Sequence, residues 1–269
     1  MSFEAKFIDS KNNPSYKKFL RVANNREKSL CILEGIHLCQ EYLAHNKDLK
    51  LIAPVFQSSS LKKAQSDSMS NELSILYQRL QDQAIVLADN LFKQLCEVQS
   101  PQGVLFVVEV ASKTLEQIPL NKSMVLLERL QDPGNLGTII RTAAAAGIEH
   151  LVLSAATVNP WSTKVLRSAQ GAHFSLNIYT DCDLSLLIQK LEVPVYATAL
   201  NPQAKSLYEC QLSENSAWLF GNEGQGVSVE LLAQATEHIF IPQSSKVESL
   251  NVAVACGIVL FEHRRQLLA

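Results

Sequence analysis

The chain has 269 residues, of which 47% are apolar and 19% charged, and its formal net charge at pH 7 is −2. This length accommodates one large domain or two ordinary ones, and the composition excludes a disordered chain. The first residues contain no apolar core of the signal-peptide type, and no uninterrupted apolar run reaches membrane-spanning length. We therefore expect a soluble cytoplasmic protein.

The six cysteines form no CxxC pair, and neither they nor the six histidines have the spacing of a metal site. Buried thiols in a reducing compartment are the expectation, with no bound metal. The charge is unevenly distributed, because residues 1–28 contain seven Lys or Arg against three Asp or Glu, a balance of +4. Contact with phosphate groups depends on this local field rather than on the average charge. Residues 1–28 are predicted to be a basic N-terminal arm, with a solvated helix as the alternative.

Strand and helix signals alternate from the arm onwards. Asn13 or Ser15 is predicted to cap the first helix, and residues 57–70 are expected to be a polar loop. Strands are expected at 30–33, 49–56, 85–87 and 103–109, and helices at 16–24, 35–43, 72–80 and 91–96. This pattern predicts a small N-terminal α/β domain over residues 29–110, followed by a linker over 111–123.

Beyond the linker the alternation is more regular. Strands are expected at 124–128, 150–154, 174–179, 193–200, 217–221 and 238–241. Helices are expected at 138–146, 163–170, 184–191, 229–235 and 251–267. Short apolar strands separated by helices indicate a mostly parallel sheet with helices on both faces. Residues 124–269 are therefore predicted to form a second α/β domain.

Three segments at the ends of these strands carry the chemical signal. They are Asn135–Arg141, the glycine-rich loop Gly221-Asn-Glu-Gly-Gln-Gly226, and Ile241-Pro242 followed by Ser249-Leu-Asn-Val-Ala253. In open α/β sheets, ligands bind beyond the carboxyl ends of the strands, and glycines let a ligand approach the backbone. No G-x-G-x-x-G follows the first strand and no Walker sequence is present. A nucleotide-dependent dehydrogenase is therefore disfavoured.

In this order, the three segments resemble the motifs of the TrmH-like branch of the SPOUT superfamily, which are RNA 2′-O-ribose methyltransferases using S-adenosylmethionine. The resemblance covers roughly residues 120–267. Residues 12–109, including Leu33-Glu-Gly35 and Ser100-Pro-Gln-Gly-Val-Leu105, resemble more loosely the family's N-terminal RNA-binding domain. The resemblance implies a deep trefoil knot in the C-terminal domain and a homodimer whose active sites are completed by both subunits.

The resemblance also assigns residues to roles. The donor adenosine is expected against Gly221, Ile241 and Leu250, together with Thr198, Ala199, Leu200, Asn222 and Gly226. Arg141 is expected beside the ribose 2′-hydroxyl, supported by Asn135, Glu223, Ser249 and Asn251. RNA contacts are expected at Lys17, Lys18, Arg21, Arg167 and Ser168.

Three of the catalytic assignments have an alternative. Because a guanidinium is a poor base, Arg141 either removes the proton or holds the substrate while water or Glu223 receives it. Asn135 and Ser249 are also reasonable helix caps. Ribosomal RNA is the favoured substrate class, with transfer RNA as the alternative. A non-catalytic RNA-binding protein of the same fold ranks lower, because the glycine loop is intact.

Overall fold

The computed structural model describes residues 6–27, 29–45, 49–66, 72–110 and 113–268. Its internal contacts divide the chain into two compact units. The N-terminal unit consists of Met1–Ala111 and Trp161–Phe174, and the C-terminal unit consists of Ser112–Pro160 and Ser175–Ala269. No helix of the described ranges is both long and apolar enough to cross a membrane.

The N-terminal unit is built on a five-stranded mixed sheet with the order β1-β4-β3-β5-β2. The strands β1, β4 and β3 are parallel, while β3, β5 and β2 are antiparallel. The strands are β1 (Lys6–Ile8), β2 (Leu30–Glu34), β3 (Lys50–Gln57), β4 (Ile85–Leu87) and β5 (Val104–Glu109). The first helices are α1 (Pro14–Ala23), α2 (Ile36–His45), α3 (Ser58–Ser66), α4 (Glu72–Leu80) and α5 (Asp89–Lys93).

Helix α1 carries three of the seven basic residues of the predicted arm. Of the two predicted caps, Asn13 is the one used, because its side chain accepts hydrogen bonds from the first backbone amides of the helix. Tyr16, Phe19 and Val22 are buried against the sheet. The predicted RNA contacts of this helix, Lys17, Lys18 and Arg21, are exposed.

The prediction of a polar loop over residues 57–70 was wrong, because α3 occupies Ser58–Ser66; residues 67–70 lie outside the described ranges. Three consecutive serines are weak helix formers, so the local signal is poor. The helix is stabilised from outside: Oδ1 of Asp89 accepts a hydrogen bond from Ser59 N at 3.0 Å, and Leu61 and Ala64 are buried. Tertiary contacts have overridden the local propensity.

The C-terminal unit contains a seven-stranded sheet with the order β10-β12-β9-β11-β6-β7-β8, and every adjacent pair is parallel. This confirms the predicted parallel sheet. The strands are β6 (Met124–Leu127), β7 (His150–Ser154), β8 (Asn177–Cys182), β9 (Val195–Thr198), β10 (Lys205–Ser206), β11 (Ala217–Phe220) and β12 (Glu237–Phe240). Its helices are α6 (Pro133–Ala146), α8 (Leu184–Ile188), α9 (Val229–Gln234) and α10 (Val252–Leu267).

Two helices of this unit position the motif residues. Helix α6 follows β6, and α10 packs along it. Gly147 adopts φ 86° and ends α6, and Arg264 of α10 donates a hydrogen bond of 3.1 Å to the carbonyl oxygen of Ala146. The final helix is thereby fixed to the C-terminal end of α6.

Helix α7 (Thr163–Ala169) groups with the N-terminal unit, although its sequence lies inside the predicted second domain. Leu166 is fully buried in the same core as Phe106. Trp161 and Phe174 pack against that core from either end of the segment. A short stretch of sequence cannot reveal this, because its apolar residues fit the core of either unit equally well.

Candidate active site

A cavity of about 640 Å³ opens at the carboxyl ends of β9, β11 and β12. This volume is in the usual range of small-molecule sites. The cavity is lined by the end of β9 and the loop after it, the glycine loop after β11, and the chain from β12 into α10, with Asn135 of α6 on one side. All three motif segments predicted from sequence therefore contribute to one site.

The glycine loop is a closed backbone turn. Asn222 N donates to Gly226 O at 3.1 Å, and Gly226 N donates to Asn222 O at 2.8 Å. The Asn222 side chain accepts a hydrogen bond from Gly224 N at 2.9 Å and donates one of 2.9 Å to the carbonyl oxygen of Arg129. Asn222 thus joins the glycine loop to the loop that follows β6.

The structural requirement for glycine differs among the three glycine positions of this loop. A Cβ at Gly221 would lie 1.9 Å from the backbone carbon of Gly226 and 2.1 Å from Val227 N. Gly226 has open space around it but adopts φ +68°, which disfavours L-residues. Gly224 meets neither restriction, since its nearest neighbour would be 3.5 Å away. Close backbone approach therefore requires glycine at Gly221 in particular.

The Glu223 carboxylate joins the glycine loop to the start of α6. It accepts hydrogen bonds from Gln131 N at 3.2 Å, Asp132 N at 3.0 Å and Asn135 Nδ2 at 3.2 Å. Burial raises the pKa of this carboxyl, but the hydrogen bonds from Asp132, Asn135 and Gln131 outweigh it, so the pKa lies below its ordinary value. A carboxylate held in its ionised form by three donors is a poor proton acceptor.

Asn135 extends this hydrogen-bonded chain to the last motif. Its Oδ1 accepts a hydrogen bond of 2.9 Å from Asn251 Nδ2, while its Nδ2 donates to Glu223. The Asn251 Oδ1 in turn accepts from Ala253 N at 2.9 Å at the start of α10. Glu223, Asn135 and Asn251 thereby bring the three motif segments together.

Two capping alternatives are corrected by this geometry. Helix α6 begins at Pro133, and its N-cap is Asp132, whose side chain accepts from Asn135 N, so Asn135 is not the cap. Helix α10 is capped by Asn251, not by Ser249. The Asn135 side chain is therefore committed to the contact between motifs, and Ser249 is exposed at the cavity.

Arg141 is the predicted catalytic residue that the chain does not bring to its own cavity. It is exposed on α6, and in the part of the chain that the structure describes, its guanidinium makes no hydrogen bond or ion pair. Arg141 follows Asn135 by six residues, which places it roughly 120° around the helix and about 9 Å along its axis. It is absent from the residues that line the cavity.

The predicted donor contacts all line the cavity: Thr198, Ala199, Leu200, Gly221, Asn222, Gly226, Ile241 and Leu250. The wall at the end of β9 is fixed by hydrogen bonds to backbone carbonyls, since Ala199 N donates to Ile239 O at 3.0 Å and the Thr198 hydroxyl Oγ1 donates to Leu219 O at 3.2 Å. Arg167 and Ser168 lie on α7, within the N-terminal unit.

Sequence reasoning missed several residues of the site. Asp132 orders the start of α6, and the pair Asp132-Pro133 is a recognisable helix-start signal. Asn201 and Leu232 line the cavity, and the turn-forming pair Asn201-Pro202 was a usable signal for a loop at the strand end. Leu232 had none, because nothing in the sequence distinguishes it from other apolar residues of α9. No three described His, Cys, Asp or Glu side chains are grouped to hold a metal ion.

Comparison with known proteins gives consistent results. The model of the SpoU rRNA Methylase family matches residues 122–261. The chain is 32% identical to the 23S rRNA (guanosine(2553)-2′-O)-methyltransferase RlmP of Bacillus subtilis, over 96% of this chain and 99% of the relative. It is 40% identical to the tRNA (guanosine(18)-2′-O)-methyltransferase of Thermus thermophilus, over 54% of this chain and 75% of the relative.

Among solved structures, the chain is similar to the AdoMet-bound rRNA methyltransferase of Sinorhizobium meliloti. The TM-score is 0.82 at 28% sequence identity, and the alignment covers 98% of this chain and 99% of the other. The similarity therefore extends over both units.

Proposed function

The chain belongs to the SpoU rRNA methylase family and is an S-adenosylmethionine-dependent RNA 2′-O-methyltransferase, and we propose that it acts on ribosomal RNA. The observation that carries the substrate class is the extent of the similarity. The ribosomal RNA enzyme matches along 96% of this chain, whereas the transfer RNA enzyme matches along 54%. Transfer RNA remains the second candidate, because that shorter match has the higher identity of 40%.

In this proposal the N-terminal unit binds the RNA. Its helix α1 exposes Lys17, Lys18 and Arg21 and contains no acidic residue. Arg167 and Ser168 of α7 belong to the same unit and extend the predicted contacts. RNA helices are recognised mainly through phosphates and 2′-hydroxyls, which suits such a basic surface. Residues 113–268 without 161–174 then carry the methyl transfer, and the enzyme works in the cytoplasm.

The cavity fits the methyl donor. Leu200, Ile241 and Leu250 offer apolar surface to an adenosine, and the backbone of the loop from Gly221 to Gly226 lines the same cavity. When bound, S-adenosylmethionine supplies a methyl group on a sulfonium, which the ribose 2′ oxygen accepts. Glu223 lines the same cavity, but its three hydrogen bonds and lowered pKa favour water as the acceptor of the hydroxyl proton.

Arg141 acts in this proposal from the other subunit of a homodimer. Its guanidinium is exposed and lies off the face of α6 that carries Asn135. The neighbouring helix α10 exposes apolar residues at helical spacing, Val254 at 52% and Phe261 at 48%, and its C-cap Leu268 continues the stripe at 76%. A stripe of this kind is suited to packing against a second copy. A trefoil knot through the C-terminal segments belongs to the same proposal.

The test uses mixed dimers of two variants that are each impaired at a different part of the site. Arg141→Ala is expected to lower the methylation rate by at least about 100-fold, as loss of a charge-stabilising donor does, with donor affinity unchanged. Gly221→Ala is expected to weaken donor binding in its own chain by about 30-fold, so methyl transfer is measured at a limiting donor concentration. If Arg141 serves the partner's cavity, co-expressed mixed dimers have one intact site and regain about half of the wild-type activity.

Two results would count against this arrangement. Mixed dimers that stay inactive would place Arg141 and the cavity of the same chain in one site, and a monomer in sedimentation analysis would remove the composite site altogether. The substrate class is tested separately, by mapping 2′-O-methyl groups in ribosomal and transfer RNA from cells that lack the protein. A site lost from transfer RNA alone would select the second candidate.

A further inference from the structure

The imidazole of His238 lies between two parts of the cavity wall without lining the cavity itself. Its Nδ1 is 3.2 Å from Nδ2 of Asn201, and its Nε2 is 2.9 Å from the carbonyl oxygen of Leu232. Both Asn201 and Leu232 line the cavity, the first from the loop after β9 and the second from α9. His238 on β12 therefore connects two cavity segments from behind.

The hydrogen-bond directions follow from the neighbours. Oδ1 of Asn201 accepts from Gln203 N at 3.1 Å, which leaves the amide Nδ2 to face the imidazole. An amide nitrogen donates, so Nδ1 of His238 is the acceptor and its proton resides on Nε2. That Nε2–H then donates to the carbonyl oxygen of Leu232. A single neutral tautomer satisfies both contacts.

These two hydrogen bonds of His238, together called the brace, act on the cavity segment between β9 and β10, which lies outside any strand. The segment after β9 is anchored at its beginning by Ala199 N, which donates to Ile239 O at 3.0 Å. It is anchored at its end by β10, where Lys205 pairs with Glu237 at 2.7 Å. Asn201 lies between these anchors, next to Leu200, whose side chain is 60% exposed at the cavity.

We propose that His238 is a positioning residue for the methyl donor, holding Asn201 and α9 at the spacing that receives the adenosine part. This rests on the proposed function, because it takes the cavity to be the donor site. A wall fixed before binding does not have to be ordered by the ligand, so affinity is higher. Loss of the brace weakens donor binding and leaves the chemical step unchanged, because His238 touches neither ribose nor methyl group.

The test compares His238→Phe, which keeps a ring of similar size and removes both hydrogen bonds, with Asn201→Ala and with the double variant. Tyr196→Phe is the matched control, since it removes a 3.3 Å contact with Ser213 Oγ from the neighbouring strand β9. Donor Kd is measured by isothermal titration, and KM for donor, KM for RNA and kcat are measured by methyl transfer. We expect a roughly tenfold rise in donor Kd and KM, with kcat at saturating donor and KM for RNA unchanged.

These measurements distinguish a positioning role of His238 from a purely structural one. The double variant is expected to be no weaker than His238→Phe alone, because both changes remove one device. A purely structural role would instead lower the melting temperature and kcat and leave donor KM unchanged, which overturns the proposal. If His238→Phe does not fold, His238→Leu gives the same decision, because it also removes both hydrogen bonds and leaves the cavity-lining Asn201 in place. Wild-type protein that does not bind S-adenosylmethionine would refute the proposed function itself, whereas normal wild-type binding with an unaffected His238→Phe refutes only the brace.

Discussion

Replacing single glycines in the loop after β11 by alanine distinguishes two effects on donor binding and stability, the steric clash of a new Cβ and the strain of a positive φ. In Gly221→Ala the new Cβ would lie 1.9 Å from the backbone carbon of Gly226, against an ordinary contact of 3.4 Å or more, so the loop must move by about 1.5 Å. The obstacle is main chain and cannot rotate away. Such a shift breaks the two backbone hydrogen bonds between Asn222 and Gly226.

The magnitude follows from those two bonds. At about 1 kcal/mol each, their loss amounts to about 2 kcal/mol. If the ligand must restore the loop on binding, donor affinity falls about 30-fold. Gly226→Ala has room for its methyl group and suffers only the left-handed φ, so it is expected to lose about 1 kcal/mol of folding stability. Gly224→Ala meets only an ordinary 3.5 Å contact and should change stability by less than about 0.5 kcal/mol.

Isothermal titration with S-adenosylmethionine and thermal denaturation, run on all three variants, give the result. The expected order of donor affinity is Gly224→Ala equal to wild type, Gly226→Ala slightly weaker, and Gly221→Ala weakest. If Gly221→Ala binds the donor as well as Gly224→Ala does, the loop tolerates the displacement and the reasoning from close backbone approach is refuted.

The remaining predictions concern the carboxylate between motifs and the basic helix. In Glu223→Gln the new amide group faces hydrogen-bond donors, and because the side chain is exposed we expect a loss of only about 0.5 to 1 kcal/mol, seen as a slightly lower melting temperature, with slower methyl transfer. The pKa of Glu223 is lowered in the folded protein, so the carboxylate contributes fully to folding stability at pH values above the ordinary Glu pKa. This contribution is lost as the pH falls through the folded pKa. A Glu223→Gln variant that melts like wild type at neutral pH would contradict this. Replacing Lys17, Lys18 and Arg21 by alanine should weaken RNA binding and reduce the slope of log affinity against log salt by about 2 to 3. An unchanged slope, with Lys113→Ala as the control, would exclude α1 from the RNA surface.

The parallel sheet of the C-terminal unit was predictable from sequence because its strands are short, apolar and separated by helices. The motif segments were predictable as one site because parallel strands end at one edge, so the loops after β9, β11 and β12 must converge. The contacts among Glu223, Asn135 and Asn251 were not predictable, since residues 88 and 116 positions apart give no local sign of pairing.

The errors have physical causes as well. Helix α3 begins with serines, and its N-terminus depends on the carboxylate of Asp89, about 30 residues away. Strand β8 runs over Asn177–Cys182, whereas the apolar run suggested 174–179; the start of that run forms a short 3₁₀ turn, Ala172–Ser175. The placement of Arg141 off the cavity depends on the exact start of α6, which follows from the cap at Asp132.

The grouping of Trp161–Phe174 with the N-terminal unit bears on how this enzyme is dissected in the laboratory and rearranged in evolution. A fragment that begins after residue 111 retains Leu166 and its aromatic neighbours but lacks the core in which they are buried. We therefore expect this fragment to aggregate and to express poorly. Exchanging the N-terminal unit between relatives by one crossover would mismatch that core in the same way. A workable chimera needs two exchanged pieces, the leading residues and the internal insert.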